Sequence, residues 1–172
     1  MFIGVSGPKV IDRHDVAKMN KAPMIFAMAN PTPEIDPAEA KAGSPDAIIA
    51  TGRSDYPNQI NNVMCFPFLF RGTLDTRSRD INHTMKMAAA MALAELAREP
   101  VPAEVSRAYQ GRQFEFGPDY VVPTPFDPRL LVKISTAVAK AAIESGAAKH
   151  IITDWKAYEY QLKARVMHTS FQ

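Results

Sequence analysis

Met24-Ile25-Phe26-Ala27-Met28-Ala29-Asn30-Pro31-Thr32-Pro33 is the stretch on which the fold turns. Its apolar opening, stopped by an Asn-Pro-Thr-Pro turn, is too short for a core helix and reads as a buried strand. Working outward, Phe2 to Ser6 is a similar run closed by Gly7-Pro8, and Ala47 to Thr51 is a third, closed by Gly52. Between them lie two helix starts. Asp12 and Asp15 precede Val16, Ala17 and Met19, which predicts a capped short helix. Asp36-Pro37 supplies a cap and a proline at the first helical position, with Glu39 in the first turn. Three continuous apolar runs separated by helices predict an α/β fold, with a parallel sheet covered on both faces.

From Asn62 onward the pattern is helical. Val63 to Phe70 is almost wholly apolar and contains Pro67, so it is a kinked buried helix or a strand, with the helix favoured. Ile81, Met85, Ala88, Ala89, Ala92 and Leu96 recur at helical spacing and predict a helix over 81–98. Leu131, Ile134, Val138, Ala141 and Ala142 predict another, ended near Gly146. Trp155, Tyr158, Leu162 and Val166 form a third stripe, opposed by Lys156, Lys163 and Arg165. Tyr120 to Pro128 carries three prolines and reads as a stiff loop or edge segment.

The 172 residues leave room for one ordinary domain with a real core. Twenty basic against 18 acidic side chains give a net charge of +2, and no run of like charge points to nucleic acid. Nor does any apolar run approach the ~20 residues that span a bilayer. The single cysteine, Cys65, fits a reducing cytosol, so a cytoplasmic protein is the expectation. It lies in an apolar run and reads as a packed thiol.

In an open parallel sheet, ligands bind beyond the carboxyl ends of the strands. Those ends are Ser6-Gly7, Asn30-Pro31-Thr32 and Thr51-Gly52-Arg53. The last opens an amide-rich loop holding Asn58, Gln59, Asn61 and Asn62. Arg53 and Arg71 could clamp an anion or close salt bridges. Glycines stand at 4, 7, 43, 52, 72, 111, 117 and 146, so no Gly-x-Gly-x-x-Gly turn is present. The four histidines share no metal spacing with carboxylates or Cys65. The chain opens inside what reads as a central strand, and the expectation is that the first half of the domain is missing.

Three ordered segments carry a resemblance: Phe26 to Ile35 with its Asn-Pro-Thr, Ile48 to Gln59 with Gly-Arg-Ser-Asp-Tyr-Pro, and Asn61-Asn62-Val63-Met64-Cys65-Phe66-Pro67. Together they resemble the malic enzymes, most of all the long bacterial form in which a phosphate-acetyltransferase-like module follows. The likeness runs from about residue 2 to about residue 165. It implies part of a Rossmann-like doubly wound parallel sheet followed by packed helices. Residues 1–153 would be the carboxy-terminal portion of an NAD(P)-binding domain, and 154–172 an exit helix and the start of a linker.

The resemblance implies oxidation of malate by hydride transfer to NAD or NADP, then decarboxylation to pyruvate and CO2. Asn30 would contact nicotinamide and substrate, Asn62 would bind malate, and Asn61 and Ser6 would lie against the cofactor. An amide offers donors and an acceptor without charge, so it can orient a carboxylate, hydroxyl or carboxamide. No residue matches the family's catalytic tyrosine and lysine or its metal-binding carboxylates, so no catalytic or metal residue is assigned to this chain. Magnesium or manganese is implied only for an intact enzyme, as is a homo-oligomer. The chain alone is therefore expected to be inactive. Two alternatives stand beside this: a non-catalytic remnant or interaction module of the same fold, and a half-domain of another dinucleotide enzyme such as an amino-acid dehydrogenase. The Asn-Asn loop argues against the second.

Overall fold

A computed structural model describes residues 1–169, with side chains described through Arg165. The chain forms two compact units, Met1–Asn61 with Phe114–Thr124, and Asn62–Gln113 with Pro125–Gln172.

In the first unit, β1 (Phe2–Gly4), β2 (Met24–Ala27) and β3 (Ile48–Thr51) form a parallel sheet in the order β1-β2-β3. Ile25 pairs with Phe2 on one side and Ile49 on the other. The crossovers contain α1 (Arg13–Ala17) and α2 (Pro37–Gly43). Both begin where the sequence predicts. Asp12 and Asp15 form a reciprocal capping box, and the Asp36 carboxylate accepts Ala38 N–H at 2.8 Å.

Val16 of α1 and Ala40 of α2 join Ile25, Ala27 and Ile49 in one core, so both helices lie on the same face. On the other face Ala50 is buried and Phe26 half-buried, while Ile3 and Met24 are exposed. Two right-handed crossovers that step the same way along a sheet must place their helices on one side.

The second unit is helical. Its members are a 3-10 turn (Asn62–Met64), α3 (Phe66–Asp75), α4 (His83–Arg98), α5 (Ala103–Ala108), α6 (Arg129–Glu144) and α7 (Trp155–Thr169). The central helix is α6, packed against α3, α4 and α7. Met85, Ala89, Ala92 and Leu96 of α4 are buried, as are Ile134, Val138, Ala141 and Ala142 of α6. Tyr158 and Leu162 dock α7 on Val132 and Ala139, while the Val166 side chain lies outside the described residues. Gly72 makes the α3–α6 approach possible, because a Cβ there would lie 2.5 Å from the Ser135 carbonyl oxygen.

Pro67 stands in the first turn of α3, just after Phe66. A proline in the first turn removes no intrahelical hydrogen bond, so that position is where the apolar run can become a helix. Helix α5 has no counterpart in the sequence reading, since only Val105 and Ser106 are buried and no stripe develops.

Candidate functional site at the carboxyl ends of the strands

Parallel neighbours end at the same edge of a sheet. Ser6 follows β1 by two residues and Asn30 follows β2 by three, and both are exposed at that edge. Beyond β3 the chain leaves and then returns. Gln59 bridges to Thr51 in parallel, and Ile60 N–H donates to the Thr51 carbonyl at 2.7 Å. The returning segment thus delivers the exposed Asn61 to the end of β3. Ser6, Asn30 and Asn61 share one edge of the first unit. Asn62 opens the second unit, exposed, with its carbonyl accepting Cys65 N–H at 3.1 Å.

The strand ends are fastened by a residue that sequence reading does not single out. Glu34 is fully buried. Its Oε1 accepts Ser6 N–H at 2.9 Å and its Oε2 accepts Ala29 N–H at 3.1 Å. Its backbone carbonyl accepts Val10 N–H at 2.9 Å, so one residue holds the loop after β1 and the loop after β2. Burial pushes the Glu34 carboxyl up, but the amides of Ser6, Ala29 and Glu34 itself, with the Ser6 hydroxyl, outweigh it. The net pKa lies below the ordinary 4.5. The available signals are a glycine inside the first strand, which marks a close approach, and an acidic residue set between Pro33 and Ile35.

Other polar residues of the loop after β3 are engaged within the unit. Asn58 is buried with φ +55°. Its Nδ2 donates to the carbonyls of Ile49 at 2.9 Å and Pro118 at 2.7 Å, and its Oδ1 accepts Val121 N–H at 2.8 Å. It is a staple, not a ligand-facing amide. Arg53 forms a bidentate pair with Asp55 and lies 4.9 Å from the Tyr56 ring centroid. Arg71 pairs with Asp75, which also accepts Tyr158 O–H at 2.9 Å. Both arginines therefore take the salt-bridge role. Cys65 is half-buried, and burial raises its thiol pKa, which opposes thiolate chemistry.

Residues 1–107 match the model of the malic enzyme NAD binding domain. The chain belongs to the malic enzyme family. It is 55% identical over 170 residues to the NADP-dependent malic enzyme of Salmonella typhimurium, covering 99% of this chain and 22% of that protein. The NAD-dependent malic enzyme of Rhizobium meliloti is 52% identical over 171 residues, again 99% of this chain and 22% of the relative. Among solved structures, the malic enzyme of Pyrococcus horikoshii superposes with a TM-score of 0.73 at 36% identity. That match covers 96% of this chain and 33% of the other. The chain thus spans about a fifth of the length of these curated malic enzymes.

The donor set suits a dinucleotide's nicotinamide end. Ser6, Asn30 and Asn61 offer uncharged donors and acceptors, exposed at the edge where open α/β sheets bind ligands. A metal is a different matter. Among the described residues, no three His, Cys, Asp or Glu side chains gather to hold an ion. Glu34, the buried carboxylate at this edge, is occupied by backbone amides. The residues present do not fit a metal, and no step is assigned to one. Among the described residues no helix is long and apolar enough to cross a membrane.

Proposed function

We propose that the chain works within a malic enzyme, which oxidises malate and releases pyruvate and CO2 while NAD or NADP is reduced. The observation that carries this is the convergence of Ser6, Asn30 and Asn61 on one sheet edge in a chain of this family. Bound at this edge, NAD or NADP would supply the acceptor for the hydride that leaves the malate carbinol carbon. Asn30 orients the nicotinamide carboxamide and the substrate beside it. Asn61 and Ser6 complete the cofactor side, and the Asn62 amide holds a malate carboxylate or hydroxyl. None of these groups titrates near neutrality, so they orient reactants and leave proton transfer to other groups.

The same proposal assigns residues 1–153 to the carboxy-terminal portion of the NAD(P)-binding domain and 154–172 to an exit helix and the start of a linker. It places the enzyme in the cytoplasm as a homo-oligomer, with magnesium or manganese held by groups other than those described here. Relatives named for NADP and for NAD match at 55% and 52%, which supports a stretch common to both cofactor types.

The test compares the purified 172-residue chain with a full-length malic enzyme carrying the same residues. Each receives malate, NAD or NADP, and manganese, and reduced cofactor is followed by absorbance. Turnover is expected only from the full-length enzyme. Activity in the chain alone would overturn the division of labour, and a full-length enzyme inert towards malate would overturn the function.

A further inference from the structure

The Glu34 carboxylate takes no part in the proposed chemistry, yet it ties together the two loops at the sheet edge. It is fully buried, and both oxygens accept backbone N–H groups from different loops. One of those amides belongs to Ser6 and the other to Ala29, the residue before Asn30. We propose that Glu34 is a positioning residue, which holds Ser6 and Asn30 at the spacing the nicotinamide end of the cofactor requires. This rests on the reading of Ser6 and Asn30 as cofactor contacts.

The physical argument is one of shared rigidity. The two oxygens belong to one planar group, so the amides bonded to them cannot drift apart without breaking a bond. An apolar side chain of the same volume would fill the space but leave both N–H donors without their acceptor, the Ala29 amide in a buried position. Glutamine would fill it too, but its amide nitrogen would face one of those donors. The carboxylate is the one side-chain head of this size that accepts on both sides. Val10 N–H, bonded to the Glu34 carbonyl, keeps the same loop from swinging away at its far end. Preorganised partners of this kind act by fixing the groups that touch the ligand.

Glu34→Gln in the full-length enzyme tests the role, because it preserves volume while removing one acceptor. Two readouts are needed: dinucleotide affinity per folded molecule by equilibrium titration, and the thermal midpoint. Affinity should weaken about tenfold, an effect larger than any loss of folded protein explains. Unchanged affinity in a folded Glu34→Gln enzyme would overturn the role, whatever the midpoint does. If that variant does not fold, Glu34→Asp keeps both acceptors on a shorter arm. Weakened affinity in a folded Glu34→Asp enzyme would support positioning, and unchanged affinity would overturn it. Ser6→Ala and Asn30→Ala run alongside. Should they weaken binding while Glu34→Gln does not, only the positioning role fails. Should neither weaken it, the cofactor reading of those residues fails first.

Discussion

Gly4 and Glu34 occupy one space. A Cβ built on Gly4 would lie 2.5 Å from Oε1 and 2.7 Å from Cγ of Glu34, so any larger residue would displace the carboxylate where it crosses the strand. The glycine has an ordinary strand conformation; what it provides is room. Gly4→Ala must push the carboxylate away from Ser6 and Ala29. Overpacking together with strained or broken hydrogen bonds should cost about 2–4 kcal/mol. Chemical denaturation should show the loss as a lower midpoint. A wild-type midpoint would mean that the carboxylate has slack the structure does not show.

The same carboxylate makes stability depend on pH. Its folded pKa lies below its ordinary value of 4.5, because the amide bonds outweigh burial. The stabilisation is therefore fully present above the unfolded pKa and is lost as pH falls through the folded one. Glu34→Gln lacks that dependence. The stability gap between wild type and Glu34→Gln should hold steady near neutrality and narrow below about pH 4.5. Paired denaturation curves at several pH values check it, and a gap that widens on acidification would reverse the sign argued here.

Elements with strong local signals are legible in the sequence. Asp12 and Asp36 cap helices where their spacing predicts, and the three apolar runs become the three strands. The α4 and α6 stripes are buried as their period requires. What escapes is decided by contacts distant in sequence. Ser6 meets Glu34 across 28 residues, and Asn58 meets Val121 across 63, and no local pattern announces either. The candidate site is legible in part. Ser6, Asn30 and Asn61 stand out as polar residues at run ends, but Asn58 in the same amide-rich loop has the same appearance and a structural role. Only burial separates them.

Asn58 yields a prediction with an internal control. Its amide donates to two carbonyls and accepts one N–H while buried. Its left-handed backbone is one that asparagine tolerates better than most residues. Asn58→Ala should lose about 2–4 kcal/mol of stability. Asn58→Asp should lose more at neutral pH, since a carboxylate oxygen would face the Ile49 and Pro118 carbonyls. Lowering the pH should narrow the difference as the carboxyl protonates. Equal stability of the two variants across pH would show that the loop opens to water when the amide is removed.

Kinetics can separate the two asparagines that the proposed function treats differently. Asn62 lies at the head of the helical unit and is assigned to malate alone. In the full-length enzyme, Asn62→Ala should raise the malate KM and lower kcat, with little change in NAD or NADP affinity. An amide that touches only substrate contributes nothing to dinucleotide binding, and its loss should cost about 1–3 kcal/mol. Asn30→Ala should worsen cofactor and malate parameters together, because it stands where both reactants meet. Its midpoint should move little, since the side chain is exposed and Glu34 holds the adjacent Ala29 amide independently. A double variant sharpens the comparison. If the residues touch different parts of the reactants, their free-energy losses in kcat/KM should add. Strong non-additivity would place both amides on one group of malate. Unchanged malate parameters in Asn62→Ala would remove it from the site.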